Sequence, residues 1–285
     1  GQLTLVDSQQ HFNKSPINDG TKITILISTA NDTTKANMYK FRVYNINKKT
    51  VAGTITKYVI NLIYDCPRYI NESTTNVYKD TSAETLRKIA SEVPFANTDI
   101  DVSADSMAWL PFGKKRAPFV RSITDYAYLD SQSCFRVGVT LNGTFKFKNT
   151  SLIDSGKTKN IFMRAAKIGK TAIKVLNDKE VSSAGVQNQY SGYKMATTEQ
   201  GTATDKTHTK VVAPTPATSV NINKNIATGV EAGTMKTAPI KSSNTHDNYA
   251  VANHQNTRIK NTFSFHTYVV IDVGTKLDLF DPVIY

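Results

Sequence analysis

Through the first third of the chain, apolar and polar positions alternate with a period of two. The runs Thr21–Thr29, Tyr39–Ile46 and Gly53–Cys66 are rich in Ile, Val, Tyr and Thr, and turn signals stand at Asn18-Asp19-Gly20 and over Ile46–Gly53. In the middle run Tyr39, Phe41 and Val43 share one face while Lys40, Arg42 and Tyr44 share the other. That pattern predicts a half-buried strand of an antiparallel sheet.

At Thr81 the period changes. Thr81 and Glu84 have the T-x-x-E spacing of a capping box, and Leu86, Ile89, Ala90 and Val93 follow at helical spacing until Pro94 ends the element. A loop then carries Trp109, the only tryptophan, and the sequence PFGKKRAP; Phe112 within it and Phe119 just after it are expected to flank a turn and pack on Trp109. In a second helix Val120, Ile123 and Ala127 line one face beside Tyr126 and Tyr128. The stretch CFRVGVTLNGTFKFKN, starting at Cys134, alternates around Asn142-Gly143 and predicts a hairpin.

Two registers compete for that hairpin. A two-residue turn would pair Val139 with Lys146 and split the apolar set between faces. A three-residue loop with Gly143 in the left-handed region sets Val139 opposite Phe145 and Val137 opposite Phe147, leaving Arg136, Lys146 and Lys148 in water. The second is preferred, because one face then buries four large side chains. The two helices and the hairpin predict a small module round Trp109, with Leu86, Ile89, Val93, Trp109, Ile123, Tyr126, Phe135, Val137, Val139, Phe145 and Phe147 as its structural core.

Ile161–Glu180 offers a third helical pattern, with Ile161, Ala165, Ile168, Ala172 and Leu176 along one side and Gly169 within it. The next 80 residues, Val181–Lys260, contain no Leu, Phe or Trp, and 46 of them are Ser, Thr, Asn, Gln, Gly or Ala. So little apolar area predicts long polar loops, or an arm laid over neighbouring chains. Order is expected to return over Asn261–Pro282 as two strands around Asp272–Thr275.

At 285 residues the chain has length for two domains, or one with insertions. Lys and Arg number 35 against 23 Asp and Glu, a formal net charge of +12, which raises nucleic acid as a partner. The basic residues are spread, however, and only Gly113–Arg116 forms a tight cluster. No run approaches the ~20 apolar residues of a membrane helix and no leader pattern is present, so a soluble protein with no membrane partner is expected. Cys66 and Cys134 have no metal-ligand spacing and are expected to be buried free thiols.

Catalytic patterns are lacking. His11, His208, His246, His254 and His266 have no zinc-site spacing, and the three in the polar segment are expected to be solvated. His246, Asp247 and the nearby serines 242 and 243 have no nucleophile elbow, and KIGKTAIK lacks the upstream glycine of a phosphate loop. Neither a catalytic residue, a metal site nor a cofactor is expected.

Leu86, Ile89, Trp109, Ile123, Tyr126, Phe135 and Phe145, in that order of elements between two β-rich regions, resemble the baseplate or tail hub proteins of bacteriophages. That family includes the hub of contractile tails, the late control protein D group and the amino-terminal half of type VI secretion spike proteins. The resemblance covers about Thr81–Asn149, with looser agreement at VGTKLDLFDPV, which looks like a closing strand.

It implies an α+β, mainly β chain with two tube-like antiparallel β-barrel domains and the helix-plus-hairpin module between them. Residues 1–80 would begin the first barrel and 81–155 form the module. Residues 156–285 would form the second barrel, with a helix at 161–177 and the polar loop or arm at 181–260. The implied function is structural: a homotrimer forming a pseudo-sixfold ring that joins a hexameric tail tube to a central spike. Its partners would be itself, the tail tube protein, the central spike protein and other baseplate proteins. It would sit in the virion, in the tail baseplate, after synthesis in the host cytoplasm, and meet nucleic acid only in passage through the lumen. Rival expectations are a basic nucleic-acid-binding virion or accessory protein, another tail tube or tip component, and a cell-wall hydrolase. The sequence does not name the assembly interface.

Overall fold

A computed structural model describes residues 1–29, 32–51, 55–130, 133–150, 160–163, 172–181, 195–202, 208–213, 234–237, 240–241, 246, 248–249, 252–253, 256, 266–271, 279–280 and 283–284. The chain opens with β1 (Gln2–Asp7), α1 (His11–Lys14), β2 (Lys22–Thr29), β3 (Asp32–Val51) and β4 (Ile55–Tyr64). These strands form an antiparallel sheet in the order β1-β4-β3-β2. Tyr58, Ile60 and Leu62 alternate into its buried face with Phe41 and Val43, and Leu3, Leu5, Ile23 and Ile25 pack against them.

A bulge between Val43 and Asn45 adds one residue to β3, which returns Ile46 to the core face opposite Ile60. Asp7 sets the short helix by accepting from the backbone N–H groups of Gln9, His11 and Phe12. Phe12 is thereby placed edge-on over Tyr58, with ring centroids 5.1 Å apart. The sheet curls but does not close, so the expected barrel is an open sheet with β1 and β2 as its edges among the described residues.

Next come α2 (Pro67–Ile70), β5 (Tyr78–Asp80), α3 (Ser82–Ser91), β6 (Asn97–Ile100), β7 (Met107–Trp109), α4 (Arg116–Tyr126), β8 (Phe135–Val139) and β9 (Thr144–Asn149). β5 pairs with β7, and β9 lies between β8, antiparallel to it, and β6, parallel to it.

Beyond the hairpin, the expected helix at 161–177 is replaced by β10 (Asn160–Met163) and β11 (Ala172–Val181), which pair in parallel. Ile173 and Val175 are buried while Lys174 and Leu176 are exposed, a period of two. β-branched residues and a sheet partner on each side of β11 outweigh the helical spacing, and Leu176, assigned to a buried stripe, is 55% exposed.

The described residues of the polar segment include strands. These are β12 (Met195–Thr202), β13 (His208–Ala213), β14 (Thr234–Thr237) and β15 (Ile240–Lys241), with β12 pairing all three others. Threonine and valine suit such ladders, whose backbone bonds do not require a large apolar side chain. Finally β16 (His266–Ile271) pairs with β11, and β17 (Val283–Ile284) with β10. Phe263, Phe265 and the turn at 272–275 lie outside the described residues.

Candidate functional site

The residues with the most distinctive geometry are those of the helix-plus-hairpin module. Leu86 and Ile89 of α3, Trp109 of β7, Ile123 of α4, and Phe135, Phe145 and Phe147 of the hairpin form one buried cluster. Tyr126, Val137 and Val139 are partly buried against it, and Val93 is buried just past α3. The cluster also takes in Tyr78 and Phe119, with Tyr69 packed against it, so apolar residues upstream of Thr81 complete this core. Phe135 and Phe147 stack at 4.7 Å, and Phe95 and Tyr69 close round Phe145.

The hairpin adopts the three-residue loop. Val139 stands opposite Phe145 and Val137 opposite Phe147, with Gly143 at φ +86°. Gly143 also lies under Tyr64 of the first sheet: a Cβ there would come within 2.2 Å of the phenol oxygen. On the other strand a Cβ on Gly138 would meet Leu279 Cδ2 at 2.3 Å. Thus both glycines are close-approach points, one against the amino-terminal sheet and one against the last segment of the chain.

Polar ties fix the helices. Thr81 Oγ1 accepts from Glu84 N at 3.2 Å, but the reciprocal half of the capping box is absent. Thr81 N donates instead to Asp80 Oδ1, and Glu84 pairs with Arg87. Asp105, wholly buried, accepts from Ser82 N, Ser103 Oγ and Tyr128 N at 2.7–2.8 Å, so one carboxylate joins the start of α3 to the end of α4. Trp109 Nε1 donates to Asp80 O at 3.0 Å.

Arg116 opens α4 and reaches Glu72 at 2.6 Å, Glu92 at 3.2 Å and the Arg68 carbonyl at 3.1 Å. Lys148, expected in water, bridges Asp99 at 2.6 Å and Asp101 at 2.8 Å. Burial works to lower its pKa, and the hydrogen bonds to Asp101 and Asp99 more than reverse this, raising it. Lys146 likewise turns back, donating to the Leu279 carbonyl. Burial pushes the Tyr69 phenol up to about 12 and raises the Cys66 thiol. Cys66 and Cys134 are free and buried.

The tie that the sequence hides comes from the polar segment. Asn256 is 1% exposed, its Oδ1 accepting from Phe135 N at 3.1 Å and its Nδ2 donating to the carbonyls of Thr124, Asp125 and Ala127 at 3.2–3.3 Å. It caps the carbonyl end of α4 and holds β8 beside it. His246, expected to be solvated, is buried with Nε2 2.8 Å from the Tyr126 carbonyl. Tyr249 stacks flat on Tyr126 at 3.8 Å, and burial, ahead of its hydrogen bond to Tyr126, raises its pKa. No sequence motif flags this clasp; the hint available was a helix ending on Tyr126 without a Gly or Asn at its own C-terminus.

Phe112 departs from expectation. Phe119 lies in the Trp109 cluster, whereas Phe112 is 82% exposed. Serines 242 and 243 and Asp247, set aside as a hydrolytic set, lie outside the described residues. Among the described residues no group of three or more His, Cys, Asp or Glu side chains could hold a metal ion, and no helix is long and apolar enough to cross a membrane.

The sequence matches no protein-family profile and no curated protein. The fold is similar to that of two solved structures. One is the tail protein from Neisseria meningitidis MC58, with a TM-score of 0.52 and 10% identity over 96% of this chain and 72% of that one. The other is the 43 kDa tail protein of prophage MuSo2 from Shewanella oneidensis, with a TM-score of 0.51 and 9% identity over 91% of this chain and 71% of that one. At these identities the likeness is one of fold.

Proposed function

We propose that this chain is a structural, non-enzymatic subunit of a phage or phage-like tail. In this reading its copies form a trimeric, pseudo-sixfold ring at the baseplate hub, joining a hexameric tail tube to the central spike. The observation that carries the proposal is the extent of the fold likeness. It runs through 96% and 91% of this chain in two proteins whose names call them tail proteins, so it includes the sheet, the module and the segments after them.

Two further features support a structural role. The buried carboxylates Asp7 and Asp105 accept from backbone N–H groups that set α1 and α3. The open sheet presents two edge strands, the surface on which another chain can add by backbone pairing. Partners on this reading are other copies, the tube protein, the spike and further baseplate proteins.

Size-exclusion chromatography with light scattering, followed by electron microscopy of the purified chain, tests it. A three-fold particle with six similar sheets round a lumen is expected. A chain that stays monomeric at high concentration and adds to no tail tube overturns the reading.

A further inference from the structure

Phe112 and Gly113 both have positive φ, +48° and +72°, and Lys114 N donates to Pro111 O at 2.9 Å. Residues 111–114 are therefore a tight turn of the mirror-image kind that favours Asn-Gly, and phenylalanine is a poor choice for its first central position. The side chain so placed is 82% exposed, the most of any large apolar residue described. Val77, 54% exposed, precedes Tyr78, whose pairing with Trp109 ends the β5–β7 ladder on the side of this turn.

The tip is firmly anchored. Thr74 N donates to Lys114 O, Ser73 bridges Lys115, Arg116 N donates to Glu72 O, and the Arg116 side chain is clamped by Glu72 and Glu92. Since those two carboxylates serve Arg116, the exposed Lys114 and Lys115 leave the tip basic. A rigid apolar knob with a cationic rim suits a shaped, acidic protein socket, since a side chain already held in place loses little freedom on binding.

A complementary surface lies at the other end of the β5–β7 ribbon. There Ser103 bonds to Ser82 and Ala83, next to Asp80, and the neighbouring Val102 is 64% exposed. Val102 follows the edge strand β6, and Asp99 of that strand and Asp101 just past its end share the single ammonium of Lys148. Because the knob follows Trp109 at one end of the β5–β7 ribbon and the strip lies near Asp80 at the other, the two meet only between different molecules.

We infer that the Phe112 tip of one copy docks on the Val102 strip of the next, with Lys114 and Lys115 facing Asp99 and Asp101. The contact is head to tail, the kind that closes into a ring rather than a two-fold dimer. This inference rests on the self-assembly proposed above and names the surfaces that would carry part of it.

Sedimentation velocity of the full chain, at roughly micromolar to hundred-micromolar concentration, tests it. Phe112→Ser is expected to weaken self-association about 30-fold, the factor that corresponds to losing one buried aromatic side chain. Phe112→Asn, which suits the turn, is expected to raise the unfolding midpoint while weakening association, an opposition that a merely structural residue would not produce. The pair Lys114→Glu and Lys115→Glu should weaken association, and adding Asp99→Lys should restore it.

If the chain assembles and the Phe112 and charge variants assemble equally well, this contact is wrong while the assembly reading stands. A chain monomeric throughout overturns both. Phe112-dependent binding to vesicles of phosphatidylcholine and phosphatidylglycerol, or to a single-stranded oligonucleotide, with self-association unaffected by Phe112→Ser, also overturns it in favour of that partner.

Discussion

Replacing Asn256 with alanine removes a side chain that serves both the end of α4 and the start of β8. The buried Phe135 N–H would lose its acceptor, and the carbonyls of Thr124, Asp125 and Ala127 would lose two donors between them. A buried backbone group left unpaired costs ~1–3 kcal/mol, whereas each bond contributes about 1 kcal/mol net. The three Nδ2 contacts are long and shared, so they count as about one good bond, and the total loss comes to about 2–4 kcal/mol. Trp109 is the only tryptophan and lies in the module core, so its emission during urea unfolding reports this module specifically. Asn256→Ala is expected to lower the midpoint of that transition, with circular dichroism, which averages over the sheets, moving less. Asn256→Asp keeps an acceptor for Phe135 N but sets a negative charge against three carbonyls, so it should be at least as destabilising. A loss below about 0.5 kcal/mol, the range of ordinary surface substitutions, would refute the view that this residue clasps the module.

Gly143→Ala puts an L-residue at φ +86° with its Cβ against the Tyr64 hydroxyl; a loss of about 1–2 kcal/mol in urea unfolding is expected from the backbone alone, and Tyr64→Phe should return part of any excess. Alkaline pH should unfold the protein in a tyrosine-dependent way. Because Tyr69 ionises near pH 12 when folded and near 10 when unfolded, its contribution is complete below about pH 10 and is lost as the pH rises toward 12. Two pH units correspond to ~2.7 kcal/mol, and Tyr69→Phe should flatten that part of the stability profile, read with tyrosinate absorbance as a check. Trp109→Phe removes the Nε1 bond to the Asp80 carbonyl and part of the core volume, and a loss of ~1–3 kcal/mol by calorimetry is expected.

The local parts of this fold are written in local sequence. Phe145 and Phe147 could be set opposite Val139 and Val137 because the period of two and the glycine at 143 leave one register that buries all four. The start of α3 follows from Thr81 and its buried face from the helical spacing of Leu86 and Ile89, though the helix ends at Ser91, before Val93, and strand alternation at Phe41 and Val43 reads directly as burial. Readings that needed a distant partner did worse. Ile161, Ile168 and Leu176 fit a helical stripe as well as they fit a strand, and β10 and β11 are decided by neighbours such as β16, about a hundred residues away. Phe112 misled in the opposite sense: a large aromatic beside a tryptophan-bearing strand implies packing, and only the positive φ turns it outward.

The clasp shows what composition could not reveal about His246, Tyr249 and Asn256. A segment without Leu, Phe or Trp has little apolar area to offset the entropy of its own ordering, which is sound for the segment taken alone. Asn256 draws on a different source: it satisfies carbonyl and N–H groups that α4 and β8 would otherwise leave unpaired in the interior. The stabilisation therefore belongs to the module as much as to the segment, and no count of hydrophobic residues within the segment contains it. It follows that the module and its clasp residues His246, Tyr249 and Asn256 are one cooperative unit. A chain cut before residue 246 should then keep the apolar cluster round Trp109 yet show faster amide exchange at Phe135 than the full chain; equal protection in both would separate the two.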